Sequence, residues 1–286
     1  MKLILIIIGF TLFAGCTGFP FGKKISQETA MLIKNSPKLF SYIKIGGRDI
    51  SYIYKENKST NKTIVFIHGS PGDAENFSEY FNRGDLAKQY SLLSIDRPGY
   101  EKTKNNEKTV VEVDMFKQAE ELTEVISGVL KTEEKIKNTI LVGHSFGGPV
   151  IAKMAIDNPL KFDKLVFLSA SMDPELEKTK WYQYPANWKI FNWLVPDKLN
   201  VCNKEIMSMK PYLEKMRGKC NGSERIIGIV HGKKDKLVPV ANVKYIEDNF
   251  SRSKIFKNIL PEADHFIPWS HFDEVIDMVK KVDENN

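Results

Sequence analysis

The segment Gly-His-Ser-Phe-Gly at residues 143–147 places one serine between two glycines in the pattern G-x-S-x-G. It follows an apolar run at residues 139–142 and precedes a stretch with apolar residues at helical spacing. A tight strand-to-helix turn lifts a serine hydroxyl above the edge of a sheet, and the flanking glycines relieve its crowding. A structural Gly-rich turn could share these letters, but the strand-turn-helix context favours a nucleophile. The sequence therefore predicts that Ser145 attacks a carbonyl carbon.

A second glycine-rich segment, His-Gly-Ser-Pro-Gly at residues 68–72, directly follows the apolar run 63–67. Acyl transfer requires backbone N–H groups that point at the oxyanion formed in the transition state. We expect the N–H groups of Ser70 and Phe146 to be these donors. His68 is expected to support the loop rather than to act as a base.

These two segments need a sheet that brings strand ends together. Residues 39–54 hold two runs on either side of Gly46-Gly47 and predict a β-hairpin. Short apolar runs then alternate with stretches of helical periodicity, which predicts an α/β fold with a mostly parallel central sheet and helices on both faces. Residues 173–222 break this alternation with three of the four Trp residues and no clean strand. This segment is expected to be a helical cap inserted over the carboxyl edge of the sheet.

The two segments, together with Asp-Arg-Pro-Gly-Tyr at residues 96–100, resemble the α/β-hydrolase fold superfamily over roughly residues 40–282. Glu101 departs from the family pattern, which prefers glycine there. The resemblance implies a serine, an acid and a histidine in that chain order. Residues 231–239 (His-Gly-Lys-Lys-Asp-Lys-Leu-Val-Pro) are similar to the acid loop of the family, which makes Asp235 the candidate acid. Asp173 is the reserve.

Residues 263–268 (Ala-Asp-His-Phe-Ile-Pro) resemble the histidine loop of the family. His265 is therefore the candidate general base, which takes the serine proton and later returns one to the leaving group. His271 is its rival. Asp264 is not expected to be the acid, because adjacent residues on one loop rarely face each other.

The resemblance implies a serine hydrolase that works through an acyl-enzyme. A serine at this turn disfavours haloalkane dehalogenases and epoxide hydrolases, which use Asp there. We expect a carboxylic ester with an apolar part, bound between the sheet edge and the cap. An amide substrate stays open, because the oxyanion loop of proline-releasing aminopeptidases is similar and three cap carboxylates (Asp173, Glu175 and Glu177) could hold a substrate amine. A non-catalytic binding lipoprotein is disfavoured, because no triad member is missing.

Composition limits the remaining function classes. The chain has 286 residues, of which 42% are hydrophobic and 27% charged, typical of a globular protein with one large domain. The net charge of +6 is spread along the chain without a basic block, so nucleic-acid binding is not expected. Neither Cys202 nor Cys220 has a partner at metal-ligand spacing, and no metal or other cofactor is expected. The two thiols could form a disulfide or remain free.

The N-terminus is typical of an export signal. Met1-Lys2, the apolar run 3–13 and Ala14-Gly15-Cys16 resemble the lipobox of bacterial lipoproteins, although Phe13 stands where Leu is usual. We expect residues 1–16 to be a lipoprotein-type signal peptide and Cys16 to be lipidated, anchoring the protein to the periplasmic or cell-surface side of a membrane. The expected domain boundaries are then a tether at 17–37, core at 38–172 and 223–286, and cap at 173–222.

Overall fold

One sheet organises residues 40–100, 112–177 and 197–285, which the computed structural model describes. Its strands are β1 (Ser41–Ile45), β2 (Arg48–Lys55), β3 (Thr63–Ile67), β4 (Ser91–Ile95), β5 (Thr139–His144), β6 (Lys164–Leu168), β7 (Ile226–Gly232) and β8 (Lys254–Leu260). Their spatial order is β1-β2-β4-β3-β5-β6-β7-β8. β2 is antiparallel to both of its neighbours, β1 and β4, and the pairs from β4 through β8 are parallel. The predicted hairpin and mostly parallel sheet are confirmed.

Helices connect the strands within the described part of the chain. They are α1 (Ser78–Asn82), α2 (Gly84–Ala87), α3 (Met115–Leu130), α4 (Glu133–Lys137), α5 (Gly147–Asp157), α6 (Asp197–Met216), α7 (Asn242–Asn249), α8 (Ile267–Ser270) and α9 (Phe272–Glu284). A 3-10 turn at Ala74–Phe77 precedes α1 and α2. Arg83 between them has extended backbone angles, which end the helix.

Both faces of the sheet are covered, as predicted. Alternate residues of a strand point to opposite faces, and Val65 and Ile67 of β3 pack in one apolar cluster with α3, α5, α6 and α7. Ile64 and Phe66 pack in a second cluster with α1 and α9. The parallel strands therefore end at one edge, between two helical layers, and this edge carries the loops that follow β3, β5, β7 and β8.

Several sequence predictions fall outside the described residues. They include the signal peptide with Cys16, the tether, and the Trp-rich part of the cap at residues 178–196. The described parts of the expected cap are residues 173–177 and 197–222, which include helix α6. None of the helices that the structure describes is long and apolar enough to cross a membrane.

Candidate active site

Ser145 occupies the turn between β5 and α5. Its φ is +53°, a left-handed value that is uncommon for a residue with a side chain and is typical of strained turns at functional sites. Backbone bonds hold the turn: the Ser145 N–H donates to the Leu168 carbonyl at 3.0 Å, and the Ser145 carbonyl accepts from the Gly148 N–H at 3.0 Å. The turn is thereby tied to the end of β6 and to the first turn of α5.

Gly147, the second glycine of the serine motif, is required because the backbone at the end of β3 lies very close to it. A Cβ on Gly147 would lie 2.3 Å from the carbonyl oxygen of Ile67, at the end of β3. This contact brings the oxyanion loop next to the nucleophile turn. On that loop, a Cβ on Gly69 would lie 3.0 Å from the Cβ of Ser145.

Asp235 and His265 meet across the ends of β7 and β8. The Nδ1 of His265 donates to Oδ2 of Asp235 at 2.7 Å, which leaves Nε2 of the neutral ring as the proton acceptor. The other carboxylate oxygen, Oδ1, accepts the backbone N–H groups of Leu237 and Val238 at 2.9 and 2.8 Å. The sheet thus brings together an acid and a histidine that lie thirty positions apart in sequence.

Asp235 remains ionised although it is buried. Burial alone raises the pKa of its carboxyl, but the hydrogen bonds from His265 and from the Val238 N–H outweigh that cost and hold the pKa below its ordinary value. A carboxylate in this place can fix the histidine tautomer and stabilise an imidazolium.

The alternative residues have other partners. Asp264 is exposed and its Oδ1 accepts the Phe266 N–H at 2.9 Å. Asp173 Oδ1 accepts the Glu175 N–H at 2.9 Å. The Nδ1 of His271 lies 2.8 Å from the Ser270 hydroxyl at the surface.

His144, which the sequence analysis placed only within the serine motif, links the nucleophile turn to the histidine loop. Its Nε2 donates to the carbonyl of His265 at 3.0 Å, and the two rings lie 4.8 Å apart. Burial lowers the pKa of His144 to about 3. His144 is therefore a neutral positioning group in the ordinary pH range.

This burial has a consequence for acid stability. The unfolded chain binds a proton at His144 near pH 6.5, whereas the folded chain does not until about pH 3, so stability present above pH 6.5 is lost as the pH falls. Between these two values, we expect each unit by which the pH falls to reduce the free energy of unfolding by about 1.4 kcal/mol, because His144 binds a proton only in the unfolded chain. His144→Gln keeps an N–H donor and should reduce this slope by that amount in urea unfolding at pH 7.5, 6 and 5. Equal slopes in the two proteins would contradict the assignment.

The two expected oxyanion donors lie on adjoining segments. Ser70 follows β3 in the loop beside Ser145, and Phe146 follows Ser145 at the N-terminus of α5. His68 supports this loop: its Nε2 accepts the Arg97 N–H at 2.9 Å, so Nδ1 carries the proton and donates to the Gly69 carbonyl at 2.8 Å. Behind the loop lies a buried ion pair, Arg97 and Glu205, which no motif in the sequence predicts.

The acidic residues of the cap are engaged within the protein. Glu175 is exposed and binds Arg217 at 3.1 Å and Lys210 at 3.4 Å. Glu177 accepts the Ser171 hydroxyl, and burial raises the pKa of its carboxyl. Among residues 40–100, 112–177 and 197–285, no group of His, Cys, Asp and Glu side chains could hold a metal ion.

Cys202 and Cys220 are both buried and no disulfide joins them, so the structure favours the second of the two alternatives that the sequence left open. Cys202 lies in α6, whereas Cys220 follows the end of that helix, with Sγ 3.9 Å from the Met216 carbonyl. The rise of an α-helix separates Cys202 from Met216 by roughly 21 Å. A disulfide needs Cα atoms within about 7 Å, so this helix keeps the two thiols apart.

The acid and histidine loops touch at Gly232, and this contact can be tested. A Cβ there would lie 2.3 Å from the Asp264 carbonyl oxygen and 2.4 Å from that of Ala263. Gly232→Ala should therefore push His265 away from Asp235 and lower kcat about 100-fold, the effect of a misplacement near 1 Å. Gly222→Ala is the matched control, since a Cβ there meets no atom within 4 Å. A wild-type kcat in Gly232→Ala would show that the contact does not position the pair.

Comparison with known proteins supports the same fold. Residues 62–197 match the family model described as the alpha/beta hydrolase fold. A Haemophilus influenzae protein named as a candidate esterase/lipase is 27% identical over 177 residues, which cover 61% of this chain and 55% of that protein. A Mycoplasma genitalium protein named as a candidate proline iminopeptidase is 29% identical over 133 residues, which cover 45% of this chain and 39% of that protein.

A solved structure extends the match over most of the chain. An esterase from Exiguobacterium antarcticum superposes with a TM-score of 0.64 at 18% identity, covering 85% of this chain and 99% of that one. The chain spans less than half the length of several curated relatives that it matches, between 32% and 43%.

Proposed function

The chain has the α/β-hydrolase fold and resembles esterases and lipases, and from this premise we propose that it is a serine hydrolase with Ser145 as nucleophile. The observation that carries the proposal is the buried 2.7 Å bond between Asp235 and His265, at the sheet edge where Ser145 sits in a strained turn. A neutral histidine fixed by an ionised carboxylate is a general base suited to activating a serine.

The proposed reaction has two halves. The Ser145 oxygen bonds to the carbonyl carbon while its proton passes to Nε2 of His265, and Asp235 stabilises the imidazolium. The N–H groups of Ser70 and Phe146 hold the oxyanion. His265 then returns the proton to the leaving group, which departs and leaves an acyl-enzyme. Water, deprotonated by His265, attacks the acyl carbon and releases the acid with Ser145 restored.

A carboxylic ester is the proposed substrate. Part of the support is the similarity to a candidate esterase/lipase. Glu175 of the expected cap adds to it, because this carboxylate is already paired with Lys210 and Arg217. A substrate amine needs a carboxylate whose charge is not already compensated. An amide substrate is the second candidate, favoured by the similarity to a candidate proline iminopeptidase.

A substrate panel tests this choice. The full chain, solubilised in mild detergent, would be assayed with nitrophenyl esters of graded acyl length and with aminoacyl-nitroanilides. We expect turnover of the esters with kcat/KM at least tenfold above that of any anilide. Turnover of a Pro-anilide without ester hydrolysis would replace the ester proposal with the amide one.

We also propose that the enzyme is exported and anchored through Cys16, on the sequence pattern of residues 1–16 alone. The full chain expressed in bacteria should enter the detergent phase on Triton X-114 partitioning. Cys16→Ser should move it to the aqueous phase, because a lipidated chain supplies the membrane affinity. Detergent-phase partitioning of Cys16→Ser would argue against the anchor.

A further inference from the structure

Arg97 and Glu205 form an ion pair that is fully removed from water. Their side chains are both 0% exposed, and Nη1 of Arg97 lies 2.7 Å from Oε1 of Glu205. Arg97 follows β4, whereas Glu205 comes from α6 in the cap. Burying two charges is costly unless their remaining donors and acceptors are satisfied. Half of the hydrogen bonds that satisfy them here come from the oxyanion loop, and the others come from Gln118 and Tyr100.

The Arg97 guanidinium binds two successive carbonyls of that loop. Its Nε donates to the His68 carbonyl and its Nη2 to the Gly69 carbonyl, both at 3.0 Å. The Gly69 carbonyl shares a planar trans peptide unit with the N–H of Ser70, so the two groups point in opposite directions. By holding the carbonyl, Arg97 fixes the direction of the N–H that is the expected oxyanion donor.

The carboxylate of Glu205 binds the side chain of Ser70. Its Oε2 accepts the Ser70 hydroxyl at 2.5 Å and the Tyr100 hydroxyl at 2.7 Å. The Oε1 atom of Glu205 also accepts a hydrogen bond from Nε2 of Gln118 at 2.7 Å. The Oε1 atom of Gln118 in turn accepts one from Nη1 of Arg97 at 2.7 Å. Ser70 is therefore held in two ways. Arg97 binds the Gly69 carbonyl of the peptide unit that carries the Ser70 N–H, and the carboxylate of Glu205 on the cap helix α6 binds the Ser70 hydroxyl.

We propose that Glu205 is a positioning residue for the reaction: through Arg97 and Ser70, the cap helix sets the orientation of the Ser70 N–H. The proposal rests on the serine-hydrolase function. It means that the cap, beyond covering a substrate, controls how well the oxyanion is stabilised. Loss of one oxyanion donor costs about 10²- to 10³-fold in kcat in serine hydrolases, so loosening this donor should cost about 10- to 100-fold, with KM little changed.

The test removes both charges at once. Arg97→Met/Glu205→Met leaves no unpaired buried charge, and such replacements commonly preserve the fold. The matched control is Lys164→Met/Asp283→Met, a second buried pair joined at 3.3 Å, whose lysine begins β6 at the opposite edge of the sheet. In the full chain we expect kcat for a nitrophenyl ester to fall about 10- to 100-fold in Arg97→Met/Glu205→Met, with KM within about twofold of wild type. In the control, kcat should stay at the wild-type value. A cooperative thermal unfolding transition in each variant would show that it is folded.

Ser70→Ala keeps the test decisive if the double variant does not fold. It removes only the hydroxyl, retains the backbone N–H and the ion pair, and should lower kcat about three- to tenfold without a matching rise in KM. If the double variant folds, a wild-type kcat in it would overturn the proposal. If it does not fold, a wild-type kcat in Ser70→Ala would do so. A loss of kcat in the control equal to that in the double variant would also overturn the proposal. If the wild-type chain turns over no ester or amide and is not labelled by a fluorophosphonate, the proposed function itself fails.

Discussion

Replacing Ser145 with alanine is expected to lower kcat for a nitrophenyl ester by about 10⁴- to 10⁶-fold, because the proposed mechanism carries the acyl group on the Ser145 oxygen. The fold should persist, since alanine takes the same left-handed backbone position at a similar cost. The measurement is steady-state hydrolysis, with the thermal unfolding midpoint recorded on the same samples.

Ser169 provides a matched control for that substitution. It also follows a strand with positive φ, at +43°, and its buried hydroxyl has no hydrogen-bond partner among the described residues. Ser169→Ala should leave kcat within about twofold and should not destabilise the protein, because it removes an unsatisfied polar group. Activity of Ser145→Ala within tenfold of wild type would mean that another group is the nucleophile.

Asp235→Asn is expected to lower kcat by about 10⁴-fold. The amide can no longer stabilise an imidazolium, and it favours the wrong histidine tautomer. The protein should still fold, because the Asn side-chain oxygen can accept the N–H groups of Leu237 and Val238 that Oδ1 of Asp235 accepts now.

Asp264→Asn is the control for this variant. The residue adjoins His265 in sequence but is exposed, and an asparagine oxygen can still accept the Phe266 N–H. Its kcat should stay within about threefold of wild type. The acid would have to be reassigned if Asp264→Asn or Asp173→Asn lost activity while Asp235→Asn kept it.

The sequence was most informative where local pattern and chain order act together. The Gly46-Gly47 turn and the alternation of continuous apolar strands with helical stretches were sufficient to predict the mostly parallel sheet, which is confirmed. The candidate acid and histidine came from loop motifs after β7 and β8, and the structure brings their side chains together. Both expectations rest on short motifs whose letters reflect a particular backbone geometry.

Contacts between distant segments were not predictable in this way. Glu205 is one of many charged residues on a polar helix, and only the packing of α6 against the loop after β3 shows what it binds. The role of His144 also depends on a carbonyl more than a hundred residues away. The separation of Cys202 and Cys220 depends on the length of α6, because Cys spacing alone does not give their distance.

The central claim, that Ser145 is the nucleophile, is tested most directly by covalent labelling. The full chain would be treated with a fluorophosphonate, and the modified residue identified by intact mass and peptide mass spectrometry. We expect one phosphonate per chain, attached to Ser145, and no label in Ser145→Ala or in wild-type protein unfolded with urea. Equal labelling of wild type and Ser145→Ala would contradict it.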